Sequence, residues 1–414
     1  MGDILTYIEA YREKSLEIHP FNIVDSLILC QLAYFKYEDS DFSKVYFDKR
    51  IGEFYRMHAE NPGDIILKGM LTAKGDEKII PLLAVGNRFA ELRACRYVES
   101  FSREKELQFA AITFELGNNE YYIAIRGTDT SIVGWKEDFS MSFQEEVPAQ
   151  KAALEYVYDT MLSIPGKFYV GGHSKGGNLA VYASMKLSEN MQSRIKAVYS
   201  FDGPGFLQEV YEGSNYKSIQ ERVYKIIPRT SIVGMILEER AEYKVVQSNR
   251  ELHMQHDPYS WEVVDEDFVY VDAEDSFARM LKRILDGWLD ELDRDERKKI
   301  INTVFNVLYD TGITSFYELT EQTLEKIKKI MDGASQVDLE ERSRIQMSVK
   351  RLLSIAKDEL KNAARTERLI QLEKSVVQLE KYAMKVEKII QSISNGDKTV
   401  HSNIHDNKRK NIGD

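Results

Sequence analysis

The feature that most constrains this chain is a serine enclosed by four glycines, in the stretch YVGGHSKGGNLAVYASM at residues 169–185. A strand-like apolar run precedes the glycines, and a helical pattern follows them. Glycine inside regular structure costs about 0.5–1 kcal/mol relative to alanine, because it loses more backbone entropy on folding. Four glycines around one serine therefore indicate a turn too tight for side chains.

Residues Gly172 to Gly176 fit the pattern G-x-S-x-G. In that pattern the serine occupies a sharp turn between a strand and a helix, and its hydroxyl is exposed above the sheet. The bare motif is weak evidence, since chains of this length match it by chance, but its context here is the required one. We therefore expect Ser174 to be a nucleophile on a strand–turn–helix unit.

Six short runs of β-branched and aromatic residues end at Gly, Pro, Asn or Asp and predict strands. They are FAAITFEL, YYIAIRGTD, KFYVGG, KAVYSFDG, RVYKIIP and YKVVQSN. Helical patterns separate several of them, including one that begins at Pro148, a residue tolerated in a first helical turn. This alternation predicts an α/β fold with a mostly parallel central sheet covered on both faces.

The chain changes character near residue 275. All eight prolines lie between Pro20 and Pro258, and amphipathic helical patterns follow, the second of them ending at Gly312. A chain of 414 residues also exceeds the usual size of one core. We expect an α/β domain over 1–274, a helical region over 275–395, and a disordered tail over 396–414, where apolar periodicity is absent.

A heptad pattern runs through the end of the helical region, where apolar residues recur at steps of three and four. Its members are Leu369, Leu372, Val376, Leu379, Ala383, Val386, Ile390 and Ile393. The stripe either folds back onto the protein's own helices or pairs with a partner, as in a homodimer. Both interpretations stay open at this point.

A serine hydroxyl needs a histidine to take its proton and an acid to orient that histidine. Of the seven histidines, two precede the serine, one lies in its turn and two lie in the tail. Excluding these leaves His253 and His256. We favour His256, in a loop after the last predicted strand. The acid is expected at the end of an intervening strand, as Asp202 is, although this residue is also suited to capping the following turn. Asp257 is the weaker alternative, because a neighbour of the histidine rarely folds back onto its ring.

Two backbone amides are expected to stabilise the developing oxyanion. One is that of Lys175, at the start of the helix after the serine. The second is assigned to Thr128, which follows the predicted strand YYIAI, where the alternative is a simple turn. The sequence shows neither a Cys/His metal-ligand spacing nor a phosphate-binding loop, so we expect no cofactor.

Composition excludes several classes of protein. A net charge of −11 disfavours nucleic acid as a partner, since phosphate contacts depend on Lys and Arg. No apolar run is long enough to span a membrane. Two cysteines and the absence of a recognisable signal peptide favour a cytoplasmic location.

The segments IAIRGTD, GWKEDF and GGHSKGGNLA resemble the class III lipases. That resemblance implies an oxyanion role for Thr128 and Lys175 and a nucleophilic role for Ser174. The chain more closely resembles the Mbeg-like family of bacterial α/β-hydrolases, over about residues 20 to 265. The segments that carry this second resemblance include FNIVDSLILCQLAY, RGTDTSIVGWKEDFSMSF, VPAQKAALEY, SFDGPGF, PRTSIVGMI and QHDPYSW.

One departure from the class III pattern bears on the acid. Those lipases carry it after the penultimate strand, where this chain has Ser231 in PRTSIVG. Since some lipases carry the acid one strand earlier, the resemblance selects Asp202. Together these features predict an α/β-hydrolase fold and a serine hydrolase of the lipase or esterase type, acting on a small acyl ester or thioester. A noncatalytic interaction module and an acyltransferase with the same triad remain alternatives.

Overall fold

The computed structural model describes residues 2–38, 40–310, 312, 314–315, 333, 336–362 and 376–377. The strands are β1 (Lys49–Arg50), β2 (Arg93–Ser102), β3 (Leu107–Gly117), β4 (Glu120–Ile125), β5 (Lys167–His173), β6 (Ile195–Phe201), β7 (Val223–Pro228), β8 (Tyr243–Val246), β9 (Val263–Val264), β10 (Asp267–Phe268) and β11 (Tyr270–Val271). The helices are α1 (Ile4–Tyr11), α2 (Ile23–Leu32), α3 (Ile51–His58), α4 (Ala73–Leu83), α5 (Ile132–Ser140), α6 (Pro148–Ser163), α7 (Lys175–Lys186), α8 (Glu189–Gln192), α9 (Gln208–Glu212), α10 (Tyr216–Ile219), α11 (Ser276–Asp290), α12 (Arg294–Asp310) and α13 (Leu339–Asn362). Short 3-10 helices cover Asp41–Ser43, Pro62–Asp64, Gln220–Arg222, Val233–Met235, Leu252–His256 and Pro258–Ser260.

Within the described residues, the main sheet has nine strands in the order β1-β2-β3-β4-β5-β6-β7-β8-β11. The five central strands, β4 to β8, run parallel to one another. Antiparallel strands flank them, with β1 to β3 on one side and β11 on the other. The six predicted strands are confirmed as β3 to β8, and the parallel prediction holds for the centre of the sheet.

Helices cover both faces of this sheet because its strands bury alternate side chains on opposite sides. In β4, Tyr122 and Ala124 join a core that also contains residues of α1 to α4. Their neighbours Ile123 and Ile125 join a second core that contains residues of α6 and α7. Parallel strands connected by helices, with a tight serine-bearing turn after β5, make up an α/β-hydrolase fold.

The C-terminal region is helical, as predicted, in its described part. Helix α11 packs on α13 through an apolar cluster that includes Ile284 and Leu353. Helix α12 ends just before Gly312, whose φ of 74° lies in the left-handed region typical of helix stops. Apart from Val376, the heptad-patterned residues lie outside the described residues, as does the tail 396–414.

Candidate active site

Ser174 occupies the turn between β5 and α7, with φ 58° and ψ −134°. This conformation is costly for a residue with a side chain and persists only where the surrounding structure imposes it. From Phe168 to Met185 every residue is buried except Ser174, which is partly exposed. The turn therefore presents one hydroxyl at the carboxyl edge of the parallel strands, as the sequence predicts.

Close backbone contacts require glycine at positions 172 and 176, on either side of Ser174. A Cβ atom on Gly172 would lie 2.2 Å from the carbonyl carbon of Gly176. A Cβ atom on Gly176 would lie 2.2 Å from the carbonyl oxygen of Ile125, at the end of β4. Real Cβ atoms do not approach backbone this closely, so the glycines allow the turn to close against the neighbouring strand.

The structure brings together the predicted acid and the predicted base. Asp202 follows β6 directly, with a left-handed φ of 50°, and His256 ends the 3-10 helix Leu252–His256. His256 Nδ1 lies 2.6 Å from Asp202 Oδ2. A carboxylate can only accept a hydrogen bond, so Nδ1 carries the proton and the lone pair of a neutral imidazole is on Nε2. This tautomer is the one that a general base requires.

Asp202 is buried, and its second oxygen is also occupied. Ser231 Oγ donates to Asp202 Oδ1 at 2.5 Å, and the amide of Gly234 donates to the same oxygen at 3.1 Å. Burial alone would raise the pKa of Asp202, but the hydrogen bond and charge of His256 and the bond from Ser231 hold that pKa below its ordinary value. Ser231 thus supports Asp202, the predicted acid.

Thr128 lies in the loop between β4 and α5, and that loop packs on the serine turn. A Cβ atom on Gly127 would lie 2.5 Å from the carbonyl oxygen of His173 and 3.2 Å from Ser174 Cβ. The Thr128 hydroxyl donates to Asp138 Oδ2 on α5 at 2.5 Å. The other predicted donor residue, Lys175, begins α7, where amides have no partner within the helix.

The chain matches a known protein family. The model of the Mbeg1-like family matches residues 83–306, more than half of the chain. The chain belongs to the Mbeg1-like family. The matched segment contains all five predicted site residues of this Mbeg1-like protein.

The crystal structure of M37 lipase is similar over 46% of this chain and 70% of the lipase chain, with a TM-score of 0.31 and 17% identity. No curated protein matches the Mbeg1-like chain.

Sequence reasoning treated His173 only as a residue confined to the turn and missed its contact with His256. Its Nε2 lies 2.8 Å from the main-chain oxygen of His256, and the two rings are 4.5 Å apart at their centroids. Since a carbonyl oxygen only accepts, Nε2 of His173 carries the proton. Burial, assisted by the neighbouring His256, lowers the pKa of His173 to about 3. The residue before the serine is therefore a neutral donor that anchors the backbone of His256.

A buried network supports the segment that carries His256. Trp261 Nε1 donates to the carbonyl of Gln255 at 2.8 Å. The Tyr259 hydroxyl donates to Asp76 Oδ1 at 2.8 Å, and Gln31 donates to the same oxygen. Burial raises the pKa of Asp76 to about 7 despite these hydrogen bonds. The position of His256, the predicted base, thus depends on α2 and α4, which no local motif indicates.

The C-terminal region contacts the loops on both sides of the candidate site. Next to the loop that carries Thr128, the amide of Ile132 donates to the carbonyl of Thr314 at 2.9 Å, and Ile132 packs in an apolar cluster with Phe305 of α12. Next to Ser231, Thr230 Oγ1 donates to Asp275, the residue that caps α11, at 2.8 Å. The helical region is therefore attached to the loops after β4 and after β7.

The described part of the chain contains no cluster of His, Cys, Asp and Glu side chains suited to holding a metal ion. None of its helices is long and apolar enough to cross a membrane. Cys30 and Cys95 are buried and unpaired.

Proposed function

We propose that this Mbeg1-like protein is a serine hydrolase that cleaves a carboxylic ester or thioester through an acyl-enzyme on Ser174. The observation that carries the proposal is the 2.6 Å contact between His256 Nδ1 and Asp202, beside a strained turn that exposes Ser174. Strain in the backbone of a nucleophile and a base with a fixed tautomer are both features of activated serines.

In the proposed reaction, Ser174 Oγ attacks the acyl carbon while its proton passes to Nε2 of His256. The amides of Thr128 and Lys175 donate to the oxyanion of the tetrahedral intermediate. That intermediate collapses as the bond to the alcohol or thiol breaks, and His256 returns the proton to the leaving group. Water, activated by His256, then hydrolyses the acyl-enzyme and regenerates the serine.

Labelling with a fluorophosphonate probe tests the proposal, since the probe reacts with activated serines whatever the natural substrate. We expect the wild-type protein to be labelled and the variants Ser174→Ala and His256→Ala to remain unlabelled. His253→Ala is the matched control, because His253 is exposed on the same segment, and it should label like the wild type. Absence of labelling in folded wild-type protein would refute catalysis and favour a noncatalytic interaction module.

The substrate class is tested with p-nitrophenyl esters of increasing acyl-chain length. The product of a labelled enzyme then distinguishes hydrolysis from acyl transfer. A free carboxylic acid supports a hydrolase, whereas an acylated alcohol or amine formed in the presence of such an acceptor identifies an acyltransferase.

We also propose that residues 1–274 form the catalytic domain and that 275–395 form a helical appendage. All the described strands precede residue 275, and the described elements after it are helices, which supports this division. A cytoplasmic location remains a prediction from the sequence, and the heptad segment retains its two interpretations, packing on the protein's own helices or pairing with a partner. Cell fractionation and measurement of the molecular mass in solution test these two points.

A further inference from the structure

The side chain of Lys175 is an unusual feature of the serine turn, because it is a charged group that is almost completely buried. Its exposed fraction is 1%. Nζ donates to Glu137 Oε2 at 2.8 Å, to Gln108 Oε1 at 2.7 Å and to the carbonyl of Gln108 at 3.1 Å. All three ammonium protons are thus used, and the lysine connects the start of α7 to α5 and β3.

Glu137, the partner of Lys175, is also buried, and both of its oxygens accept hydrogen bonds. Oε1 accepts from the amide of Ala149 at 2.6 Å, and Oε2 accepts from the amide of Gln108 at 3.3 Å in addition to Lys175. Burial raises the pKa of Glu137, while the charge of Lys175 opposes that change. The pair therefore fixes α5 against α7 and the start of α6.

The next residue on α5, Asp138, holds the other predicted oxyanion residue through the 2.5 Å bond from Thr128. Asp138 Oδ1 lies 4.0 Å from Lys175 Nζ. Two consecutive carboxylates of one helix thus contact the two residues whose amides are assigned to the oxyanion hole. Because those residues belong to separate segments, the spacing of their amides depends on how α5 is seated.

A buried ion pair is weak evidence for stability, because desolvation of the two charges offsets their attraction. Replacement of buried ion pairs by uncharged residues of similar volume is often close to neutral for stability in other proteins. Catalysis depends more strongly than stability on where the groups lie. Catalytic groups must be held to about 0.5 Å of their productive positions, and a misplacement of about 1 Å costs on the order of 10² in rate. We therefore expect the pair to matter more for the placement of the catalytic groups than for the stability of the fold.

We propose that the Lys175–Glu137 pair is a positioning brace that sets the distance between the two amide donors of the oxyanion hole. This inference rests on the proposed function and assigns the two side chains no contact with the substrate. It predicts that loss of the pair weakens stabilisation of the transition state more than it weakens folding or substrate binding.

The test uses the full chain with the double variant Lys175→Met/Glu137→Gln, which removes both charges at nearly constant volume. Its matched control is Lys225→Met/Glu239→Gln, since Lys225 is likewise a buried lysine paired with a glutamate, between β7 and the loop before β8. The single variant Glu137→Gln supplies a second measurement should the double variant fail to fold. Thermal unfolding establishes that each variant is folded.

The readouts are the second-order rate of fluorophosphonate labelling and the kcat and KM for a p-nitrophenyl ester. Phosphonylation joins Ser174 Oγ to phosphorus as fluoride leaves and the serine proton passes to His256, while the phosphoryl oxygen occupies the oxyanion hole. We expect the labelling rate and kcat of the double variant to fall about 10²-fold with KM changed less than about threefold. The Lys225/Glu239 control should remain near the wild type.

A folded double variant that labels at the wild-type rate would overturn the brace, as would an equal loss in the control. A folded Glu137→Gln variant with unchanged kcat would overturn it as well. If the wild-type protein itself fails to label, the proposed function is what fails. The two failures are therefore distinguishable.

Discussion

Replacement of His173 by glutamine tests the electrostatic description of the serine turn. The His173 ring is buried, and its pKa is lowered from 6.5 to about 3, first by burial and then by His256. Glutamine places an amide donor near the position of Nε2 and does not titrate, so His173→Gln should keep the bond to the carbonyl of His256. The variant therefore removes the titration of the His173 ring and preserves the hydrogen bond to the backbone of His256.

The sign of the effect follows from proton linkage. Below about pH 6.5 the unfolded chain binds a proton on this residue that the folded chain binds only near pH 3. The contribution of His173 to stability is thus fully present above pH 6.5 and is lost as the pH falls. Between about pH 7 and 4.5 the wild type should lose about 2–3 kcal/mol of unfolding free energy relative to His173→Gln.

Urea unfolding followed by tryptophan fluorescence at the two pH values measures this difference. The variant His253→Gln is the control, because His253 lies exposed in the same segment as His256, and it should lose stability as the wild type does. If all three proteins lose the same free energy on acidification, His173 is not buried as a neutral donor and the reasoning is wrong.

Three other predictions concern the acid and the turn. Asp202→Asn should lower kcat about 10⁴-fold, as loss of the correct histidine tautomer does in serine proteases, whereas Asp257→Asn should leave kcat within about tenfold. Ester hydrolysis by the purified, folded variants measures both values of kcat. Comparable losses in the two variants would contradict the assignment of Asp202 as the acid. Ser231→Ala removes a hydrogen bond that lowers the pKa of Asp202. The acid limb of the pH profile of kcat/KM should therefore move to higher pH. An unchanged profile would show that Ser231 does not act through Asp202. Gly172→Ala would force a Cβ atom to 2.2 Å from backbone and should prevent stable folding, whereas Gly63→Ala meets nothing within 4 Å and should leave the melting temperature nearly unchanged.

The sequence alone determined the serine turn and the strands on either side of the site. A tight turn is controlled by contacts between residues a few positions apart, so the spacing of Gly172, Ser174 and Gly176 carried the information directly. Strand and helix patterns likewise report local burial, which is why β3 to β8 and the helices α11 and α12 were predictable. The same patterns placed Asp202 and Thr128 correctly at the ends of strands.

Only the tertiary structure decided which side chains meet across the sheet edge. Asp202 and His256 are 54 positions apart, and Glu137 and Lys175 are 38 positions apart. Such pairs form because parallel strands bring their carboxyl ends to one edge, and a single sequence contains no measure of the distances there. The same holds for two other contacts, the hydrogen bond of His173 to the backbone of His256 and that of Ser231 to Asp202. Only the tertiary structure shows them. A buried charge needs a partner in space, and only the packing of distant segments specifies that partner.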